Sequence, residues 1–258
     1  MLTDRIYFLK HTTSTNRVAY DLASKGEPAG TAVIAESQGE GRGRLGKVWQ
    51  SPPGKGLYCS LVVRPNLAVV DYPKITLTAG LAVAIALEEI SGIEMRLKWP
   101  NDIYARGKKC CGILTESSSL TEETDERFAI VGIGINVNSE ETDFALELHD
   151  KATSLRILTG SAYDIRAVFD RVRRHLFAKL VLFELAGFAG ILEDWRKRDM
   201  LLGKWLQWVS TSGEIIHGQS EGPDDEGRLM VKDKKGKTHQ VLSGDISLAE
   251  KIGTMDNP

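Results

Sequence analysis

The pattern of apolar residues changes at about Leu201, and this change limits the possible folds more than any other feature of the sequence. Before it, apolar residues recur at helical spacing, as over 164–185, between continuous apolar runs that are typical of buried strands. After it, short apolar runs alternate with turn signals such as Ser212-Gly213, with roughly ten residues to each strand. The sequence therefore predicts an α+β main domain over residues 1–201 and a small β-barrel over residues 202–258.

The main domain is predicted to mix helices with strands. Its longest apolar segment runs from Ile75 to Ile90 and predicts a buried helix that ends near Gly92. A shorter helix is predicted after the capping residues Thr13 to Asn16, with Gly26 as its end. The other predicted elements are helices over 164–185 and 188–199 and strands over 31–35, 57–63, 95–99, 103–105, 111–114 and 128–137.

Composition narrows the function classes. Hydrophobic residues make up 42% and charged residues 26% of the 258-residue chain, which is typical of a globular protein. The formal net charge of −2 does not favour a nucleic-acid binder. No apolar run reaches the roughly 20 residues of a membrane span, and the N-terminus has no signal-peptide pattern. Three cysteines without paired spacing suit a reducing compartment, so we predict a cytoplasmic protein.

A loop rich in glycine and arginine, from Gly41 to Lys47, carries the strongest sign of anion binding. Glycines let backbone N–H groups converge on an anion, and Arg42 and Arg44 add fixed positive charge. The segment nearly matches two phosphate-binding motifs, and neither fits. The dinucleotide motif must open a helix, whereas Pro52-Pro53 follows here, and the Walker A motif needs Ser or Thr where Val48 stands. By itself the segment also fits a flexible basic loop.

Other segments combine polar groups with turns or glycines, and each also has a purely structural interpretation. Ser14-Thr15-Asn16 is typical of a helix cap, Lys98 to Asp102 of a turn, and an isolated Lys109 of a solvated surface. Gly132 to Asn138 places glycines inside a strand, which marks close approach by a ligand or by a neighbouring element. None of these segments decides the function alone.

Together and in this order, the segments resemble the biotin–protein ligase family. The most specific pair is the Gly41 to Gly46 loop joined to Lys98-Trp99-Pro100-Asn101-Asp102, and Gly244 to Leu248 resembles the end of the family's tail. The other resembling stretches are Ser14 to Asn16, Ala35 to Gln38, Trp49, Lys109 to Glu116 and Gly132 to Asn136. The resemblance implies an α+β fold, a mixed β-sheet flanked by helices like that of class II aminoacyl-tRNA synthetases, with a C-terminal SH3-like barrel.

The resemblance also implies a reaction. Members of the family join the carboxylate of biotin to the α-phosphate of ATP, supplied with Mg²⁺, to form biotinoyl-5′-AMP and pyrophosphate. They then transfer biotin to one lysine of a biotin carboxyl carrier protein, part of acetyl-CoA carboxylase or a related carboxylase, and release AMP. Some members carry an N-terminal winged helix that binds DNA. Only about a dozen residues precede Ser14, so the chain resembles the monofunctional class without that domain, and we expect no DNA partner. The lack of a long apolar run leads us to expect no membrane partner. A homodimer through a sheet edge is common in the family.

The resemblance assigns roles to particular residues. The loop with Arg42, Gly43 and Arg44 is implied to close over biotin and the adenylate and to exclude water. Lys109 is implied to bridge the biotin carboxylate and the α-phosphate, and Asp102 to orient or deprotonate the incoming lysine. The implied catalytic residues are Lys109, Arg44 and Asp102. The implied biotin-binding residues are Ser14, Thr15, Asn16, Gln38, Arg42, Gly43, Arg44 and Lys109. The implied nucleotide-binding residues are Arg44, Trp49, Asn101, Lys109 and Asn136, where Trp49 either stacks on adenine or anchors the loop.

Three alternatives compete with this interpretation. A lipoate–protein ligase or octanoyl transferase shares the fold, but its family is not expected to join this loop to Lys-Trp-Pro-Asn-Asp. A non-catalytic biotin or nucleotide sensor is expected to lack Lys109 or the loop arginines, which are present. A nucleic-acid-binding module would use the lysines of 232–237, but acidic residues over 224–233 offset them, which is typical of a solvated face.

Overall fold

The computed structural model describes residues 3–118, 127–209, 215–241 and 246–248. The predicted turn at 212–213 and the Gly244-Asp245 part of the tail motif lie outside the described residues. The helices are α1 (Thr15–Ser24), α2 (Lys74–Ser91), α3 (Leu155–Thr159), α4 (Ile165–Ala186) and α5 (Ala189–Arg196). The strands are β1 (Ile6–Leu9), β2 (Ala32–Ala35), β3 (Gly56–Val63), β4 (Arg96–Lys98), β5 (Asp102–Ala105), β6 (Lys108–Ser117), β7 (Ala129–Asn136), β8 (Trp205–Val209), β9 (Ile215–Pro223), β10 (Leu229–Lys232), β11 (Thr238–Val241) and β12 (Ile246–Leu248).

The first seven strands form one mixed sheet in the order β1-β2-β3-β7-β6-β5-β4. Strands β1 and β2 are parallel, and the other neighbouring strands are antiparallel. Apolar side chains of α2, α4 and α5 pack on one face, and Ala19 and Ala23 of α1 pack on the other against Val33, Val62 and Ile130. The predicted mixed sheet flanked by helices is confirmed.

Helix α2 confirms the buried helix predicted from the longest apolar segment. It is buried on most of its surface, as expected for an apolar segment in the middle of a domain. It ends where Gly92 adopts a left-handed conformation with φ 69° and donates its N–H to Glu88 O. Helix α4 buries Val168, Phe169 and Val172 on its predicted inner face. Among the described residues, no helix is both long and apolar enough to cross a membrane.

Two elements were not predicted. Strand β1 is only four residues long and pairs in parallel with β2, so Ile6 lies opposite Ala32. Helix α3 spans five residues and is capped by the preceding Ser154, whose hydroxyl accepts the N–H of Ile157 at 3.1 Å. Elements this short carry too few residues to show a period in the sequence.

The last five strands form a separate antiparallel sheet in the order β11-β10-β9-β8-β12, which is the small C-terminal β-module that the sequence predicts. This sheet contacts the main domain at the turn between β9 and β10. The indole Nε1 of Trp99 donates to Gly227 O at 2.9 Å, and Glu226 pairs with Lys74 at 3.1 Å. The small sheet therefore fixes the side chain of Trp99, the residue that precedes Pro100. The boundary predicted between residues 201 and 202 stays a prediction.

Asp199 is a carboxyl group buried at this junction, with 8% of its surface exposed. Its Oδ1 accepts the N–H of Leu201 at 2.8 Å, whereas Oδ2 has no hydrogen-bond partner among the described residues and faces Gly222. Burial raises the pKa of Asp199 from 3.8 to about 6. Below pH 3.8 the group is protonated in both the folded and the unfolded chain. As the pH rises toward 6, the unfolded chain ionises first, so stability falls and stays lower by roughly 3 kcal/mol above that pH.

We therefore expect Asp199→Asn to raise the free energy of unfolding near neutral pH by about 2 kcal/mol, because the amide carries no charge and keeps the acceptor for Leu201. The decline in stability between pH 3.8 and about 6 should also become shallower. Urea unfolding across this range measures both effects. Asp21→Asn, at an exposed position, is the matched control and should leave the pH profile unchanged. A wild-type pH profile in Asp199→Asn would contradict the assignment.

Candidate active site

A cavity of about 390 Å³ opens on the face of the main sheet that carries α1. Its wall is built from the start of α1, the loop over residues 38–52, the turn over 98–102, and the facing residues of β6 and β7. The volume falls within the range of pockets for small ligands. Each of these segments carries one of the motifs predicted from the sequence, so the fold brings them to one place.

Glycines of the two central strands leave room for aromatic and polar groups over the sheet. A Cβ at Gly134 would lie 2.6 Å from the Trp49 indole, and one at Gly112 would lie 3.2 Å from the same ring. A Cβ at Gly132 would overlap the side-chain amide of Asn16. The sequence left open whether a ligand or a neighbouring element approaches these glycines. In the structure the neighbours are Asn16 and Trp49.

A group of polar side chains, here called the polar corner, connects α1 to β3 and to the loop. It consists of Thr15, Asn16, Gln38, Ser51 and Ser60. The first backbone N–H of a helix has no partner within the helix, and that of Thr15 donates to Gln38 Oε1 at 2.8 Å. Gln38 Nε2 donates to Ser51 Oγ at 2.9 Å. The side chain of Ser14, the residue before the helix, makes no capping hydrogen bond, and Ser14 lines the cavity.

Asn16 is held on all sides by protein groups. Its Nδ2 donates to Leu114 O at 3.2 Å and to Glu116 Oε2 at 2.6 Å, and its Oδ1 lies 2.6 Å from Ser60 Oγ. Both amide hydrogens are therefore used within the protein. Asn16 lines the cavity as predicted, but its geometry suits it to anchoring α1 on the sheet more than to donating to a ligand.

A β-bulge directs Lys109 into the cavity. Opposite β5, Ile103 pairs with Cys111 and Tyr104 pairs with Lys109, so Cys110 is the additional residue. Side chains alternate between the faces of a strand, and one extra residue reverses the alternation. Lys109 and Gly112 therefore both line the cavity, although they are three positions apart.

Lys109 lies against a carboxylate and an aromatic ring. Its Nζ is 2.7 Å from Asp102 Oδ1, an ion pair whose angle is poor for a hydrogen bond, and 5.5 Å from the centre of the Trp49 ring. Its side chain is 29% exposed and that of Asp102 is 20% exposed, so both reach the cavity. The Trp49 Nε1 is buried with no hydrogen-bond partner among the described residues. An unpaired buried donor is costly, and an acceptor on a ligand would satisfy it.

The glycine- and arginine-rich loop covers the cavity. Arg42 and Val48 form an isolated antiparallel bridge, and Gly43 N–H donates to Lys47 O at 2.7 Å. A Cβ at Gly41 would overlap the carbonyl oxygen of Trp49, so only glycine fits this closed turn. Arg42, Gly43 and Arg44 all line the cavity, which places fixed positive charge beside Lys109.

Two asparagines on the wall are anchored through their amide groups. Asn101 Nδ2 donates to Ile113 O at 2.8 Å, and Asn136 Nδ2 donates to Thr153 O at 3.0 Å. In each case the side-chain carbonyl and one N–H are not used by that bond. Both residues can therefore meet a ligand while they hold the cavity wall.

Every residue predicted for the site lines this cavity, and the individual roles stay predictions. Lys151 also lines the cavity but was not predicted, and its carbonyl accepts the N–H of Lys109 at 2.8 Å. Ser60, a fully buried member of the polar corner, was not predicted either. A lone lysine in a loop and a lone serine in an apolar strand give no pattern that the sequence could reveal.

The two cysteines beside Lys109 are packed into the core. Cys110 and Cys111 are 0% exposed, and burial raises the pKa of the Cys110 thiol to about 12. They act as small apolar residues with little thiolate. Within the described part of the chain, no three His, Cys, Asp or Glu residues cluster as a metal site would require.

Comparison with protein families identifies the class. Residues 8–136 match the biotin/lipoate A/B protein ligase family, and residues 209–249 match the biotin protein ligase C-terminal domain. The chain therefore belongs to the biotin/lipoate A/B protein ligase family.

Similar proteins specify the branch of the family. The bifunctional ligase/repressor BirA of Bacillus subtilis is 38% identical over 92% of this chain and 71% of that protein. The biotin–[acetyl-CoA-carboxylase] ligase of Paracoccus denitrificans is 33% identical over 89% of this chain and 95% of that protein. The biotin protein ligase of Aquifex aeolicus, solved with biotin and ATP, superimposes with a TM-score of 0.80 at 33% identity, covering 96% of this chain and 99% of that one. Within the family, the chain groups with the biotin protein ligases.

Proposed function

We propose that this protein is a biotin–protein ligase, which activates biotin with ATP and attaches it to one lysine of a biotin carboxyl carrier protein. The observation that carries the proposal is the Lys109–Asp102 pair in one cavity with the polar corner and the arginine loop. The cavity offers hydrogen-bonding groups for a ureido ring and cations for a carboxylate and a phosphate. Its relatives named as biotin ligases support the same activity.

In the first step, a carboxylate oxygen of biotin attacks the α-phosphorus of ATP. A new P–O bond forms, the bond from that phosphorus to the β-phosphate oxygen breaks, and pyrophosphate leaves. Both reactants are anions, so fixed positive charge between them lowers the barrier. Lys109 supplies that charge at the ligand, and Arg44 adds to it from the loop. Lys109 would exchange its contact with Asp102 for contacts with the substrates.

In the second step, the amine of the carrier lysine attacks the acyl carbon of the mixed anhydride. The C–N bond forms, the C–O bond to AMP breaks, and the amine loses a proton. Asp102 lies beside Lys109 with part of its carboxylate exposed to the cavity, so it would orient the amine and accept that proton. Mg²⁺ with ATP would shield phosphate charge. Asp102 would offer this Mg²⁺ one carboxylate oxygen, and phosphate oxygens of ATP would supply further ligands.

We propose that the loop over residues 39–56 acts as a lid. Closure over the mixed anhydride would keep water from hydrolysing it. We expect this loop to be cleaved readily by trypsin without ligands and to be protected several-fold when biotin and ATP are bound. Cleavage after Arg42, Arg44 or Lys47 can be followed by mass spectrometry. Equal cleavage in both states would contradict the lid.

We propose a cytoplasmic location, which the three unpaired, buried cysteines support.

We also propose a homodimer through β1, the outer strand of the main sheet. The opposite strand β4 is covered, because Leu97 forms a bridge with Asp199. Sedimentation velocity with and without biotin and ATP would measure the assembly, and a monomer under both conditions would contradict it.

Formation of the adenylate tests the proposed activity without a carrier. The protein is incubated with biotin and MgATP, quenched in acid, and analysed by liquid chromatography with mass spectrometry. We expect about one biotinoyl-5′-AMP per chain, and none with lipoate in place of biotin. Biotin binding with no adenylate would indicate a sensor, and adenylate from lipoate alone would indicate a lipoate ligase.

A further inference from the structure

We propose that Ser60 is a positioning residue that fixes the direction of the hydrogen bond between Thr15 and the ligand, and so selects ligands with an N–H at that point. Ser60 lies in the middle of β3, opposite Gly132 of β7, and is fully buried. Nothing in the sequence marks it. The proposal rests on the proposed binding of biotin, whose ureido ring carries two N–H donors and one carbonyl acceptor.

The direction follows from counting protons in the polar corner. Asn16 Nδ2 donates to two oxygens, so the Asn16 atom next to Ser60 is the carbonyl Oδ1, which only accepts. The single hydroxyl proton of Ser60 must therefore go to Asn16 Oδ1, at 2.6 Å. The other close neighbour of Ser60 Oγ is Thr15 Oγ1, at 2.8 Å. Since Ser60 has no proton left, that contact is a hydrogen bond only if Thr15 donates it.

Among the described residues, the other side-chain atom that hydrogen-bonds with the Thr15 hydroxyl is Gln38 Oε1, which accepts a proton and gives none. Gln38 Oε1 accepts the backbone N–H of Thr15 at 2.8 Å and lies 3.1 Å from Thr15 Oγ1. The one proton of Thr15 is therefore used inside the protein, whichever of the two acceptors takes it. Toward the cavity, Thr15 Oγ1 presents lone pairs only. A ligand N–H satisfies them, whereas a ligand oxygen at the same point repels them.

Ser60 makes it costly for the Thr15 hydroxyl to donate to the ligand instead of accepting from it. If Thr15 turned its proton to a ligand oxygen, Ser60 Oγ would lose its donor in a fully buried position. Without the Ser60 hydroxyl, Thr15 Oγ1 loses the nearer of its two acceptors and keeps only Gln38 Oε1, which already accepts the Thr15 backbone N–H, so turning the hydroxyl proton to a ligand oxygen costs less. Ser60 thus acts on specificity through Thr15, without touching the ligand.

The test compares biotin with its cyclic carbamate analogues, in which one ureido N–H is replaced by a ring oxygen, using both regioisomers. Isothermal titration calorimetry on the full chain gives the ratio of dissociation constants, carbamate over biotin. For the regioisomer with oxygen at Thr15, we expect Ser60→Ala to lower this ratio roughly fivefold to tenfold, the equivalent of one hydrogen bond. The affinity for ATP should not change. Ser220→Ala, another buried serine that lies in the small sheet, is the matched control and should keep the wild-type ratio.

An unchanged ratio in folded Ser60→Ala, or an equal change in Ser220→Ala, would overturn the proposal. If Ser60→Ala does not fold, Ser60→Cys retains the volume with a weak hydrogen-bonding group and should lower the ratio in the same direction. Thr15→Val removes the hydroxyl and should make the ratio insensitive to residue 60. Failure of the wild-type protein to bind biotin would instead overturn the proposed function, so the two failures are distinguishable.

Discussion

Replacement of Lys109 by alanine is expected to reduce kcat/KM for biotin transfer by roughly 10²–10³-fold, with the larger loss in adenylate formation. Lys109 Nζ is the cation that lies within the cavity against Asp102, at 2.7 Å. Its removal leaves the carboxylate of Asp102 next to two anionic substrates, so repulsion replaces attraction at the reacting atoms. Single-turnover formation of biotinoyl-5′-AMP measures the first step, and transfer from isolated adenylate measures the second.

Lys108 provides the matched control for this substitution. It is the preceding residue of the same strand, but its Nζ donates to His149 O at 2.6 Å, and it is not part of the cavity wall. Lys108→Ala should therefore keep kcat/KM within a few-fold of wild type, with at most a small loss of stability. Comparable activity losses in the two variants would show that Lys109 has no special part in the chemistry.

Replacement of Gly132 by alanine should have the largest effect on stability and also weaken biotin binding. The new Cβ would overlap the amide of Asn16, which is fixed by Ser60, Leu114 and Glu116. Asn16 must then move, and buried groups lose their hydrogen bonds. We expect the free energy of unfolding to fall by about 3 kcal/mol and the Kd for biotin to rise at least tenfold. Urea unfolding and calorimetric titration measure the two effects.

Gly80 is a matched position for the same substitution. It lies in α2, and its nearest neighbour to a new Cβ is Leu97 Cδ2 at 3.7 Å, an ordinary contact. Because alanine favours a helix over glycine, Gly80→Ala should increase stability by about 0.5–1 kcal/mol. If Gly132→Ala proved as harmless as Gly80→Ala, the close packing of Asn16 on β7 would be wrong.

Some features of the fold were accessible from the sequence because they depend on local physics. The long apolar run of α2 and the glycine at its end define the helix and its limit. The change of pattern near Leu201 predicted a small C-terminal sheet, and the last five strands form one. The cavity residues were identified through the motifs of a known family, since no single segment distinguished a binding loop from a flexible one.

Other features depend on contacts between distant residues and were not accessible. The orientation of Lys109 follows from the bulge at Cys110, which needs β5 beside it. The glycines at 112 and 134 are explained by Trp49, which comes from a loop more than 60 residues earlier in the chain. Ser60 of β3 contacts Thr15 and Asn16 only because tertiary packing lays α1 over this strand. In each case, tertiary packing brings the residue into contact with a group that is distant in the sequence.

The central claim is tested most directly by mass spectrometry of an apo biotin carboxyl carrier domain after incubation with this protein, biotin and MgATP. Lipoate serves as the parallel acid. We predict that the carrier gains one biotinyl group on a single lysine and gains nothing from lipoate. No gain of mass on the carrier, from a protein that measurably binds biotin, would contradict the ligase assignment.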